Sequence, residues 1–316
     1  MKKVLAKTEN MSREDWRALR LRGIGGSDCS AACNMSRYKS ALSLWLEKTE
    51  QVKPKEAGEA AYWGTIMEPV LREEFAKRTG LAVKEVPYMF YREETPWMLA
   101  NIDGITYEKD GSVSLLEIKT ANGFAAKDWE DGLPQEYFLQ VQHYLCVLDL
   151  QKAYVACLLG GNHFIVEEVL RDDEVIANIT SMEAAFWKSV VDRTQPEIDG
   201  SASTAEALSA MYPQSDTTSV ILPEEADDIL SYYMKIKESE ASIKEEKMLC
   251  ESKLKSLLGK NSCGKSPKGI SVSWKSVETS RIDTSRLKAE APQIAERFTV
   301  KSQTRKFVVS TKGMRS

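Results

Sequence analysis

The run Leu115-Leu116-Glu117-Ile118-Lys119 constrains the fold of this chain more than any other stretch. An apolar segment of this kind reads as a buried strand, whose side chains alternate between two faces. Glu117 and Lys119 then stand on one face and Ile118 on the opposite, buried one. Leu115 shares the face of Glu117, deeper in the sheet. Two charges closing an apolar strand need compensation, because a buried charge is costly unless it is paired or bound to a metal. Whatever sheet holds this strand must bring partners to both.

The preceding turn supplies one. Lys109-Asp110-Gly111 has the form of a three-residue hairpin loop with glycine in the left-handed position. Pairing Glu108 with Ser112 sets the register, and counting back places Asp103, in Ile102-Asp103-Gly104, opposite Glu117. Two carboxylates on adjacent strands repel each other unless a cation lies between them. Oxygen ligation by Asp103, Glu117 and the carbonyl of Ile118 suits Mg²⁺, with Mn²⁺ as a substitute. Lys119 beside such an ion is placed to orient a water and to stabilise charge developing on a phosphoryl group. The set suits phosphodiester hydrolysis. Taken alone, it leaves open a plain exposed hairpin with an ordinary Glu–Lys pair.

Around that hairpin the periodicity predicts helices first. Ser12 caps a short helix carrying Trp16, Leu19 and Arg20. Gly25-Gly26-Ser27-Asp28 turns into a helix at Cys29–Cys33, and another helix follows at Leu42–Thr49. A longer one runs from Glu59 to Thr79, closed by Gly80. Strands are expected at Ala82–Val86, Tyr88–Tyr91, Met98–Tyr107, Val113–Lys119, Lys152–Leu159 and His163–Val169. Helices at Pro134–Leu148 and Asp172–Arg193 accompany them. The order predicts an α/β architecture, a mixed central β-sheet flanked by helices, over residues 1–197. Residues 198–222 read as a linker, and 223–316 as a C-terminal extension. That extension comprises a long helix at Glu224–Leu258, a hairpin at Gly269–Val277 and a small basic tail. The helix's apolar positions (Ile229, Tyr233, Ile236, Ile243, Cys250, Leu254, Leu257) fit a coiled-coil arm or a helix laid on its own subunit.

Charge is unevenly spread. Residues 1–56 carry a net +5 and residues 260–316 a net +9, so the middle carries −18 of an overall −4. An acidic centre that gathers cations, with basic ends that meet phosphate, fits this distribution. No apolar run is long enough to span a membrane, and the two leading lysines precede too short an apolar run for a secretory signal. A cytoplasmic location is expected. Cys29 and Cys33 stand four apart, as metal ligands on a helix would, but no second pair with suitable spacing accompanies them. Buried structural thiols are the preferred reading, and His143 reads as a structural histidine.

Several motifs in order resemble the phage-type recombination exonucleases, among them the lambda exonuclease and the YqaJ-like viral recombinases of the D…ExK nuclease superfamily. They are Trp16 with Arg20, then Gly25-Gly26-Ser27-Asp28, Trp63-Gly64-Thr65-Ile66-Met67-Glu68, Asp103-Gly104, Glu117-Ile118-Lys119 and Gln140-Val141-Gln142. The resemblance covers roughly residues 14–195. It implies a restriction-endonuclease-like nuclease core with Asp103 and Glu117 as metal ligands, Lys119 as the catalytic lysine and Glu68 as a helix carboxylate facing the metal. It also implies that Arg20, Ser27 and Gln140 grip a 5′-phosphate. Ile102 stands where proline often precedes the aspartate.

The activity implied is Mg²⁺-dependent 5′→3′ degradation of linear duplex DNA, leaving 3′ single strands for phage-type recombination. A homotrimer and a single-strand annealing protein as partner follow from the same likeness. The rivals are an endonuclease of the same superfamily and a catalytically inactive DNA-binding accessory protein. Trp16 and Trp63 are expected to pack in the core or its rim rather than stack on bases. Lys265, Lys268, Lys275, Arg305 and Lys306 fit either phosphate contact or a solvated tail.

Overall fold

The computed structural model describes residues 1–53, 58–216, 218–301 and 304–310. The last six residues of the expected basic tail, and Thr217 of the expected linker, lie outside the described residues. The chain divides into two compact units, Met1–Pro213 and Gln214–Ser316.

In chain order the first unit comprises β1 (Lys2–Lys7), α1 (Arg13–Arg20), β2 (Ile24–Gly25), α2 (Gly26–Ala32), α3 (Ala41–Lys48) and α4 (Glu59–Thr79). Then follow β3 (Ala82–Lys84), β4 (Tyr88–Arg92), β5 (Thr95–Asn101), β6 (Gly104–Tyr107) and β7 (Val113–Ala121). The unit ends with α5 (Gln135–Leu148), β8 (Lys152–Leu159), β9 (His163–Leu170), α6 (Asp173–Val191) and α7 (Ala202–Met211). The expected mixed α/β arrangement with flanking helices is present, but the strands form two sheets rather than one. One has the order β1-β4-β5-β2 and the other β3-β6-β7-β8-β9.

The division falls inside the expected strand Met98–Tyr107. β5 ends at Asn101 in the first sheet, and β6 starts at Gly104 in the second. The physical reason lies at Asp103, whose side-chain Oδ2 accepts the N–H of Ile118 at 2.7 Å. A carboxylate has taken the backbone's place in the ladder. The hairpin that follows closes as its loop requires: Glu108 N donates to Ser112 O at 2.9 Å, and Gly111 has φ +83°. Gly104 pairs with Leu116. Beyond that point β7 has no β6 neighbour, and the second sheet is open along one side of Glu117.

β7 and β8 are parallel, so a crossover must join them. Helix α5 provides it and is buried from Leu139 to Leu148. Leu115, Ala153, Val155 and Cys157 meet it on one side of the sheet, in a core that also takes Met98 and Ala100 from the first sheet. On the other side Leu71 and Phe75 of α4 pack on Leu116, Ile118, Tyr154 and Ala156. The period of two in β7 thus meets a different helix on each face.

Some expectations are corrected. β1 was not foreseen; its lysine-rich sequence is held as an edge strand by β4. The expected linker at 198–222 contains α7, which packs Ala207 and Leu208 into a core with α3 and α6. Ser201 caps it, and Ser203 Oγ accepts the N–H of Ser40.

The second unit holds α8 (Glu225–Leu258), the hairpin of β10 (Cys263–Lys265) and β11 (Ser271–Ser273), and the short helices α9 (Thr284–Glu290) and α10 (Pro292–Arg297). The hairpin precedes its expected position, because Gly269 with φ +87° lies in its turn rather than at its start. Along α8, Ile229, Ile236, Ile243 and Leu257 are exposed, and so are Lys265, Lys268 and Lys275 beyond it. No helix among the described residues is long and apolar enough to cross a membrane.

Phe75 is fully buried, with its ring centroid 5.4 Å from that of Tyr154, and it anchors α4 to the sheet. Phe75→Ala is expected to lower unfolding stability by about 3–5 kcal/mol, read from urea titration.

Candidate active site

Glu117 enters the site from the open side of β7 with 3% of its surface exposed. Two donors hold one of its oxygens: Lys119 Nζ and Gln140 Nε2 each lie 2.6 Å from Oε1. Its other oxygen, Oε2, is buried and has no hydrogen-bond partner. Asp103 stands beside it with Oδ2 on the Ile118 N–H. Glu68 comes from α4, where it is paired with Arg72, whose Nε also donates to the Asp103 carbonyl at 3.1 Å. Glu68, Asp103, Glu117, Ile118 and Lys119 line one cavity of about 410 Å³, into which Gly64 of α4 also faces. The structure therefore brings together every residue expected at the metal: Asp103, Glu117, Ile118 and Glu68, with Lys119.

The electrostatics follow from crowding acids where burial strips away part of their hydration. Burial and the neighbouring Asp103 push the Glu117 carboxyl up to about 8, and Lys119 only partly offsets them. Burial and Asp103 likewise push Glu68 up to about 7, against the pull of Arg72. Burial raises Asp103 as well, despite Lys119, the Ile118 N–H and Arg72. Burial works against the charge of Lys119, but Glu117 and Asp103 outweigh it and hold the ammonium above its ordinary range. Its Nζ also lies 5.1 Å from the centroid of the Tyr137 ring. Three carboxylates that resist ionising together, one with an orphaned buried oxygen, form an all-oxygen set fitted to a hard divalent cation.

A second cluster lies at the start of α2. Arg20 Nη2 reaches Ser27 Oγ at 3.1 Å and Asp28 Oδ2 at 2.6 Å. Lys48 Nζ binds the same oxygen at 2.9 Å, and Lys39 approaches the other at 3.7 Å. Burial opposes the charge on Asp28, but Arg20, Lys48 and Lys39 overcome it and hold the carboxyl far below its usual range. Burial lowers Lys48 despite that partner, with Arg20 and Lys39 adding to the effect. Three cations around Asp28, of which Lys39 also pairs with Glu47, leave positive charge to spare. Arg20, Lys48, Arg13, Arg17 and Lys53 line an adjoining cavity of about 590 Å³.

The paired glycines are explained by close approach. A Cβ on Gly25 would collide with the Arg20 guanidinium, and one on Gly26 with the Tyr144 ring.

Arg20 and Ser27 are thus adjacent, whereas Gln140, expected with them, donates to Glu117. Tyr144, one turn along α5, links the two places: Gln140 Nε2 lies 3.3 Å from its hydroxyl, and its ring packs on Gly26. Asp28, Lys48, Arg72 and Tyr144 were not singled out from the sequence for a role; only Asp28 stood in a noted motif.

Trp16 is half-buried, donates to Asn101 Oδ1 at 2.8 Å and lies under Arg20, the rim role expected. Trp63 departs from expectation, being 52% exposed beside Tyr62 in the N-terminal half of α4. Helical spacing placed it on an apolar face, but only the C-terminal half of α4 reaches the core.

Residues 15–151 match the family model described as the YqaJ-like viral recombinase domain. Over 310 residues, 96% of each chain, the sequence is 35% identical to protein YqaJ of Bacillus subtilis (strain 168). The structure is similar to an alkaline exonuclease from Laribacter hongkongensis, with TM-score 0.49 and 23% identity over 57% of this chain and 93% of that one. It is also similar to a phage related exonuclease from Haemophilus somnus 129PT, with TM-score 0.42 and 13% identity over 56% and 99% of the two chains.

The raised carboxyls give a pH signature. Between its ordinary 4.5 and about 8, Glu117 keeps in the folded chain a proton that the unfolded chain releases. Metal-free stability from this group therefore falls as pH rises through that window, while a divalent cation, which needs the ionised form, binds more tightly. The rise in melting temperature on adding Mg²⁺ is expected to grow from about pH 5 to about pH 9. Glu117→Gln should flatten it; a pH-independent rise in the unsubstituted protein would contradict this account.

Proposed function

The chain belongs to the YqaJ-like viral recombinase family, and on that premise we propose that it is a Mg²⁺-dependent exodeoxyribonuclease. It degrades linear duplex DNA from 5′ ends and leaves 3′ overhangs for phage-type homologous recombination. The observation that carries this reading is the orphaned, buried Oε2 of Glu117, whose residue lines one cavity with Asp103 and Glu68 and holds Lys119 on the same carboxylate.

Asp103, Glu117, Glu68 and the Ile118 carbonyl hold the cation, with Mn²⁺ able to replace Mg²⁺. The chemistry such an ion supplies when bound is Lewis acidity toward a phosphoryl oxygen and toward water. The protein's own groups do the rest. Lys119 donates to the oxygen on which charge develops and keeps Glu117 oriented through Oε1. Gln140 holds the same oxygen, so the Glu117 carboxylate has little rotamer freedom and Oε2 is left without a partner. A preorganised ammonium is worth more than the same group in solution, because it need not reorganise as charge forms.

End recognition belongs to the cluster on Asp28. Arg20 offers a planar fork of donors, Ser27 a hydroxyl, and the surplus of cations draws a terminal phosphate. Asp28 fixes Arg20 in place rather than touching DNA. The family likeness extends the reading to a homotrimer, a cytoplasmic setting and a single-strand annealing protein as partner.

Linear and closed circular duplexes, with 5′-phosphate or 5′-hydroxyl ends on the linear form, test this with Mg²⁺ and with EDTA. Release of nucleotides from phosphorylated linear ends alone, abolished by EDTA, is expected; cleavage of the closed circle would make the protein an endonuclease instead. Lys119→Ala is expected to slow release by roughly 10²–10³-fold. Unchanged release would remove Lys119 from the chemistry. Arg20→Ala should erase the preference for the 5′-phosphate, and a preference that survives would place end recognition elsewhere.

A further inference from the structure

The buried core holds a second set of metal-ligating side chains, distinct from the carboxylates of the active site. Cys29 comes from α2, His143 from α5 and Glu183 from α6, and their donor atoms all lie within 4.8 Å of one another. His143 and Glu183 have no exposed surface, and neither does Cys29. Cys33 follows Cys29 by one helical turn, and the two thiols are close enough to hydrogen-bond.

Two features of this cluster point to a cation. The first is the orientation of His143. Its Nε2 lies 2.9 Å from the Leu99 carbonyl, which can only accept, so Nε2 carries a proton and Nδ1 is turned toward the cluster. A backbone carbonyl that fixes the far nitrogen of an imidazole is the usual support for a metal-ligating histidine. The second is Glu183. Its Oε1 contacts His143 Nδ1 at 2.8 Å, while Oε2 is buried with no hydrogen-bond partner. A polar network maintained for its hydrogen bonds alone would satisfy that oxygen.

We propose that Cys29, Cys33, His143 and Glu183 form a structural site for a thiophilic divalent ion, Zn²⁺ foremost. Cys29, His143 and Glu183 supply three donors within 4.8 Å of one another, and the Cys33 thiol, outside that group but beside Cys29, would complete a tetrahedral set of the kind Zn²⁺ takes. Mg²⁺ is excluded from it by the sulfurs, as a hard ion prefers the oxygens of Asp103 and Glu117. The site ties three helices at one point. Ser27 and Asp28 immediately precede Cys29 on α2, and Gln140 precedes His143 by one turn on α5. The ion thus fixes the separation between the helix that carries the Arg20 cluster and the helix that orients Glu117.

The test uses the full chain, purified without chelator from zinc-supplemented medium, and reads metal content and the absorption of the Co²⁺-substituted protein. About one equivalent of Zn²⁺ per chain is expected, together with intense thiolate-to-cobalt charge-transfer bands and tetrahedral d–d bands. Cys29→Ser should lose most of the bound zinc and weaken the charge-transfer bands. Asp103→Asn, which alters only the carboxylate centre, should keep both, so failure here and failure of the nuclease reading remain separate. Negligible zinc in a folded chain without thiolate bands on adding Co²⁺ would overturn the proposal. So would zinc content unchanged in Cys29→Ser. Should Cys29→Ser not fold, Cys33→Ser replaces it; should neither fold, the cobalt spectrum of the unsubstituted chain decides.

Discussion

Mutual repulsion among Glu68, Asp103 and Glu117 is the constraint on which the first unit depends. Each is raised by burial, and Glu68 and Glu117 are raised further by their acidic neighbour Asp103. Nothing in a hydrophobic core favours such an arrangement, so it persists only because the surrounding fold fixes every carrier. Glu117 is on a strand locked between two helices, Glu68 on a helix anchored by Phe75, and Asp103 is held at its carbonyl by Arg72 and at its carboxylate by the Ile118 N–H. Stability spent on this cluster is recovered in the packing of α4 and α5 on opposite faces of one sheet.

Helix α5 has a double duty that its sequence hardly displays. Within little more than one turn it orients Glu117 through Gln140, turns His143 toward α6 and presses Tyr144 onto Gly26. Its apolar side chains fill the space between the two sheets, so these polar groups are placed with little rotamer freedom. Glu117 and the Arg20 cluster, far apart in sequence, are kept at a set spacing by one buried crossover helix.

Much of this was legible in the chain itself. Alternation in Val113–Lys119 and the Lys109-Asp110-Gly111 loop were enough to set Asp103 against Glu117, because a tight hairpin leaves the register no freedom. Helix ends at Ser12 and Gly80 were equally plain, as capping chemistry is local. What was not legible is long-range. The union of Arg20 with Lys48 and Lys39 joins segments whose periodicity says only that each is helical. Gln140 offered no sign that it would meet a carboxylate rather than a phosphate. Cys29 and Cys33 looked incomplete as ligands because His143 and Glu183 lie more than a hundred residues away. Trp63 misled because an apolar stripe on α4 continues past the point where the core ends.

The break between β5 and β6 bears on which sequence changes the chain can absorb. Ile102-Asp103 is a two-residue irregular link between sheets, but Ile102 is buried in the core that both sheets share. A single added residue would disturb that core at Ile102 yet leave the ladders on either side able to pair. It would nonetheless turn Asp103 to the opposite face and free the Ile118 N–H. The protein would lose packing at Ile102 as well as one of its carboxylates. Relatives of this chain should therefore vary in length almost anywhere along their loops before they vary at this link.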